Sequence, residues 1–252
     1  MTPSLFGEER GRTLFLELRR APVNVLDLET IDRLDQALAA ASARRDLRVV
    51  VFRSGLPGMF SAGVDVAAHA PERVDAMLDT FHRLVRRLDA LPQATVAAVD
   101  GPCLGGACEL VSLCDIVLAS PRATFGQPEI DLGCFPPVAA VTLPRLMGKA
   151  ASAMVLGGEP LSAAEAARLG LVTSVVDDLA GETDRWVARL SAKSGTALAG
   201  ARRALRVGAH GPFREALDRT ERLYRDEIAK SPDAAEGVAA FLGKRPPRWE
   251  RG

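Results

Sequence analysis

Three short apolar runs limit the fold of this chain more than any other feature: LRVVVF (47–52), ATVAAV (94–99) and CDIVLAS (114–120). Each is shorter than an ordinary helix, rich in β-branched or small apolar residues, and bounded by polar or turn residues, the pattern of a buried strand. TLFLEL (13–18), with Arg and Glu around it, reads as a further strand. Between it and the first run, ETIDRLDQALAAASA puts Ile31, Leu34, Leu38 and Ala41 at helical spacing, with Asp27 or Thr30 available as the N-cap. PERVDAMLDTFHRLVRRLDAL carries one stripe through Val74, Met77, Leu78, Phe81, Leu84, Val85 and Leu88, and Pro71 is expected as its first helical residue. Strands and helices therefore alternate to about residue 175, as in α/β folds. After LGLVTSVVDD (169–178) come helical patterns separated by Gly and Pro. They predict a helical C-terminal segment packed on the core or on a neighbouring subunit.

Charge and cysteine content narrow the functional classes. The 252 residues carry 32 basic and 32 acidic side chains, so no long-range field draws the chain to nucleic acid or to an anionic membrane. Any anion has to be bound by local groups. Cysteines 103, 108, 114 and 134 lie in apolar stretches without a C-x-x-C pair and His69, His82 and His210 are scattered, so reduced, buried thiols and no metal site are expected. No basic start followed by an apolar run opens the sequence, and Asp100, Glu109 and Asp115 interrupt the longest apolar stretch. A soluble, cytoplasmic protein is the expectation.

The stretch GPCLGGACEL (101–110) sets one carboxylate, Glu109, among Gly, Ala, Cys and Leu. Burial of an unpaired carboxylate costs several kcal/mol or raises its pKa, so this position asks for a reason. Two glycine-containing turns follow strands, GMFSAGVD (58–65) and GPCLGGACEL, and a short helix is expected from near Ala107. Facing each other, they could aim two N–H donors at one oxygen; ordinary tight turns are the simpler alternative. A second glutamate, Glu129, lies in the equally apolar ATFGQPEIDLGCFPP (123–137). A buried carboxylate pair suits acid and base chemistry, unless each glutamate is merely ion-paired to an arginine such as Arg122 or Arg145.

These residues carry a resemblance. MFSAGVDV, AAVDGPCLGGACELVSLCDIVLASPRATFGQPEIDLG, LSAAEAARLGLVTSVV and GVAAFLGKRPPRW are similar, in colinear order from about Leu14 to Trp249, to the enoyl-CoA hydratase/isomerase (crotonase) superfamily. The resemblance implies an α/β, crotonase-like fold, a ββα spiral core over residues 1–177, where thioester binding and catalysis reside. A helical C-terminal segment over 178–252 would complete the coenzyme A pocket and assemble a homotrimer or a dimer of trimers. It implies the Val64 and Gly106 N–H groups as oxyanion donors, aided by the positive end of the helix at Gly106. Ala62, Asp65 and Val66 fall on backbone positions that hold the adenine and pantetheine parts of coenzyme A. Glu109 and Glu129 fall on the two hydratase glutamates, the first for water and the second for the α-carbon proton. No metal or redox cofactor is implied, coenzyme A being part of the substrate.

One departure stands out: Pro137 occupies the place where the resemblance implies a glycine that helps hold the water, and proline has no N–H. The GCFPPVAA segment, together with FSAGVDV and AHAPERVDAMLDTFHRL, most resembles the branch that hydrates cyclohexa-1,5-dienecarbonyl-CoA, and Phe60, Phe81, Phe135 and Val138 would suit a ring substrate unless they are simply core. Lys244 and Arg245 lie where the family reaches a coenzyme A phosphate, and Asp131 reads equally as an ion-pair partner or a pocket charge. An isomerase or thioester hydrolase on the same scaffold, and a non-catalytic acyl-CoA-binding subunit, are the alternatives.

Overall fold

The computed structural model describes residues 4–250; the ends of the two expected segments, residues 1–3 and 251–252, lie outside the described residues. Its main sheet has six strands in the order β1 (Leu5–Arg10), β2 (Thr13–Leu18), β3 (Val49–Ser54), β4 (Ala94–Val99), β6 (Ile116–Ala119) and β9 (Ser174–Val175). All neighbours pair in parallel except β1 with β2. A second, smaller sheet joins β5 (Pro102–Leu104), β7 (Thr124–Gly126) and β8 (Leu161–Ser162). Each main-sheet strand β4 and β6 runs on after a short bend into a strand of the small sheet, so the chain winds as a spiral of paired strands.

Helices return the chain between turns of the spiral: α1 (Leu28–Ser42), α2 (Val74–Ala90), α3 (Gly106–Ser112), α4 (Ala139–Met147), α5 (Ala150–Gly157) and α6 (Ala163–Leu169). Asp27 is the cap of α1, accepting from Thr30 N–H at 2.9 Å. The helical stripe of α2 is buried at Met77, Phe81, Leu84 and Leu88. Pro71, however, does not open α2. It is the second residue of a turn closed by Arg73 N–H to Ala70 C=O at 2.8 Å, through which the chain leaves the 3-10 turn Val66–His69, and the helix starts at Val74. β3 ends two residues beyond the LRVVVF run because its register is set by β2, with Val49 opposite Thr13 and Ser54 opposite Leu18.

The C-terminal segment is helical as expected. It comprises α7 (Leu179–Ser191, capped by Asp178), α8 (Gly195–Gly208), α9 (Phe213–Leu223, running into a π-turn) and α10 (Pro232–Leu242). Alternation along the central strands serves two cores: Val50 and Ala97 face α1–α6, while Val49, Val51 and Val96 face the outer side, where Trp186, Val187 and Leu190 of α7 pack. No helix among the described residues is long and apolar enough to cross a membrane.

Candidate active site

Residues 60–65 are stitched in on both sides. Phe60 and Ser61 N–H groups donate to Pro102 C=O at 3.0 Å and Leu104 N–H donates to Ser61 C=O at 3.0 Å, which ties the first glycine turn to β5. On the opposite side Ala62 N–H meets Val23 C=O (2.9 Å), Leu26 N–H meets Gly63 C=O (2.8 Å) and Asp65 N–H meets Leu26 C=O (3.2 Å). Extended backbone alternates with a period of two, yet the N–H groups of Ala62 and Asp65, three apart, point the same way. Gly63, at φ +90°, makes the flip. It leaves the Val64 N–H on the β5 side, where Gly106 lies. A Cβ on Gly63 would come within 2.6 Å of Leu104 O and 3.3 Å of Gly106 N, and one on Gly106 within 2.6 Å of Val64 Cγ2 and 3.1 Å of Phe81 Cζ. Gly106 opens α3, one residue before the expected start, and its N–H has no intrahelical partner. The two candidate donors are thus brought side by side.

The carboxylates converge on the same place. Glu129, on a 3-10 turn over Pro128–Leu132, lies so close to Gly105 that a Cβ there would be 2.7 Å from its Oε1. Its Oε2 is buried and has no hydrogen-bond partner. Burial raises the Glu129 pKa, opposed in part by the charge of His69. Glu109 is 3% exposed, and its Oε1 accepts from Ala139 N–H at 2.7 Å, at the first residue of α4. Burial pushes its pKa up to about 7; the Ala139 N–H opposes this and the charge of Glu129 adds to it. Neither glutamate has an ion-pair partner among the described residues. Arg122 is bound to Asp100, and the side-chain contact of Arg145 is His210. The simpler ion-pair explanation of both glutamates is therefore removed.

Other expected residues fall in and out of this group. Pro137 is half-buried on the turn entering α4, and two residues later the Ala139 N–H donates to Glu109 itself. Ala62 and Asp65 are half-buried, with their N–H groups engaged by the 23–26 segment; the Asp65 carboxylate caps the following 3-10 turn through Ala67 N–H at 3.0 Å. Val66 is 60% and Phe135 63% exposed. Phe60, Phe81 and Val138 are core residues, so the ring-lining group is not enclosed by this chain. Cys103 and Cys108 are buried, but Cys114 and Cys134 are only half-buried, because Cys114 follows the C-cap of α3 and Cys134 follows the cap of the Pro128–Leu132 turn. Asp131 is exposed against Gly158, and Arg245 is paired with Glu236 at 2.6 Å. Two groups beside the glutamates escape a reading of the sequence: the Ala139 N–H and His69, whose Nδ1 lies 3.1 Å from Asp65 O. A proline pair before an apolar run was the one signal for the first.

Residues 11–252 match the family described as enoyl-CoA hydratase/isomerase. The chain is 38% identical to cyclohexa-1,5-dienecarbonyl-CoA hydratase of Thauera aromatica, covering 96% of this chain and 95% of that one. It is also 38% identical to 2,3-dehydroadipyl-CoA hydratase of Escherichia coli K12, covering 98% of each. A crystal structure of enoyl-CoA hydratase from Bacillus anthracis superposes with a TM-score of 0.93 over 99% of this chain and 100% of that chain, at 26% identity.

Proposed function

Since the chain belongs to the enoyl-CoA hydratase/isomerase family, has its crotonase-type fold and is a hydratase-type carbon–oxygen lyase, we propose how it adds water across the α,β double bond of an acyl-CoA thioester. The Val64 and Gly106 N–H groups hold the thioester oxygen. Ionised Glu109 takes a proton from water as the oxygen attacks the β-carbon. The electron pair of the double bond moves onto the thioester oxygen as an enolate, and protonated Glu129 returns a proton to the α-carbon. The observation that carries this reading is the pair of buried glutamates without arginine partners beside two glycine-shaped turns. A Glu109 pKa of about 7 suits a base at neutral pH, and the raised pKa of Glu129 suits an acid.

In this reading Ala62, Asp65 and Val66 run beside the adenine and pantetheine, and Phe135 and Pro137 border the acyl group. The cytoplasmic enzyme needs no cofactor beyond the coenzyme A of its substrate, and residues 178–252 assemble a homotrimer or a dimer of trimers and complete the pocket. A cyclic dienoyl group is one acyl group it covers, supported by the similarity to the Thauera relative.

The test is loss of enoyl-thioester absorbance on crotonyl-CoA and cyclohexa-1,5-dienecarbonyl-CoA with Glu109→Gln and Glu129→Gln. Each substitution is expected to lower kcat by about 10²–10⁴-fold. Activity kept by Glu109→Gln but lost in Glu129→Gln would favour isomerase or thioester hydrolase chemistry; binding without turnover of either thioester would favour a non-catalytic subunit. Crotonyl-CoA turnover equal to or above that of the cyclic thioester removes the ring assignment.

A further inference from the structure

The three helices that build the candidate site also wall an open cleft of about 730 Å³ with α8. Phe81 of α2 lies against Gly106, and the next residues on that helix, His82 and Val85, line the cleft. Glu109 of α3 faces the site, and Ser112, about 4.5 Å further along the helix axis, lines the cleft. Ala139 of α4 holds Glu109, and Val138 and Val141 on either side of it line the cleft. The Ser112 and Thr142 hydroxyls, 2.8 Å apart, close the crossing of α3 with α4. The inner wall of the cleft, Ser112 and Val138, thus lies one helical turn from Glu109 and next to the residue that holds it.

Its walls mix apolar side chains (Val85, Val138, Val141, Leu146, Leu205, Val207) with charged ones, and its charges do not cancel. Three arginines line it. Arg206 is paired with Asp89 and Asp115, and Asp115 is held as well by Arg202 at 2.7 Å. Arg86 and Arg145 have no carboxylate partner among the described residues, and Arg145 has only His210 at 3.4 Å. His82 Nε2 is buried without a hydrogen-bond partner. A buried polar atom left alone marks a place for water or ligand, and two exposed guanidinium groups without a carboxylate partner, beside valine and leucine side chains, suit an organic carboxylate.

We propose that this cleft receives the far end of the acyl group and selects a chain that ends in a carboxylate, held by Arg86 and Arg145. The proposal rests on the enoyl-CoA hydratase reading, though not on a cyclic acyl group.

The experiment compares two six-carbon thioesters, 2-hexenoyl-CoA and 2,3-dehydroadipyl-CoA, which differ in a methyl against a carboxylate end. Wild-type kcat/KM is expected to favour the carboxylate by about tenfold or more. The Arg86→Gln/Arg145→Gln pair is expected to bring that ratio to about one, and Arg86→Lys/Arg145→Lys to restore part of it. A wild-type ratio at or below one, or a ratio untouched by the glutamine pair, overturns the proposal. Calorimetric titration with saturated hexanoyl-CoA and adipyl-CoA separates the two readings. Tighter adipyl-CoA binding lost in the glutamine pair, with no thioester hydrated, sinks the chemistry and leaves the cleft. Hydration without carboxylate preference sinks the cleft alone. If light scattering shows the glutamine pair changing the assembly mass with the ratio unmoved, the cleft is a contact between copies of the chain and the proposal falls.

Discussion

Glu109 carries its own pH signature. Its pKa in the folded chain is raised from 4.5 to about 7, mainly by burial, so the folded state holds the proton more tightly than the unfolded chain. The associated stability is complete below about 4.5 and is lost as pH rises through about 7, amounting to about 3 kcal/mol at 1.36 kcal/mol per unit. Glu109→Gln cannot ionise and keeps an acceptor for Ala139 N–H. It should melt several degrees above the wild type at pH 8 and close to it at pH 5. Equal gaps in calorimetric scans at both pH values would refute the assignment. Gly105→Ala tests the neighbouring approach: with φ at +52° and a Cβ 2.7 Å from Glu129 Oε1, it should cost about 1–2 kcal/mol of backbone strain. The displaced carboxylate should lower kcat about 10²-fold. Steady-state kinetics alongside urea melts would separate the two effects.

Elements with a strong internal period were legible and those without one were not. α1 and α2 announce themselves through stripes three and four residues apart, and ATVAAV reads as β4 because it is a short run, wholly apolar but for Thr95; the structure buries its full length. β1 is a charged edge strand, LFGEER, whose only large apolar residues are Leu5 and Phe6, and it is defined by pairing with β2 across Gly11. β5, β7 and β8 are two or three residues long, too short for any period. The cap of α1 is testable on its own. Asp27 accepts from Thr30 N–H and pairs with Arg20 at 2.8 Å, so Asp27→Ala should cost about 1 kcal/mol in urea unfolding and Asp27→Asn distinctly less.

At the scale of the whole molecule, one buried arginine fastens the C-terminal helices to the spiral. Arg202 of α8 is 5% exposed and donates to the carbonyls of Leu88 (2.8 Å), Asp89 (3.0 Å) and Leu91, at the end of α2, and to Asp115 at 2.7 Å. Arg202→Met would strand the buried carbonyls and the aspartate together, at a cost of about 3–5 kcal/mol. Chemical denaturation should show this loss, and early proteolysis within residues 195–242 should accompany it. A melt within 1 kcal/mol of wild type would show that the segment is held elsewhere. Local spacing in the sequence by itself determined the alternation of strands and helices, the change to helices at Asp178, and the two glutamates in glycine-lined apolar segments. Those properties belong to a few consecutive residues. Tertiary structure alone decided that the Gly63 turn brings Val64 against Gly106, and that the N–H of Ala139, thirty residues away, holds Glu109. Both depend on how separate loops cross, and no run of neighbouring residues encodes a crossing.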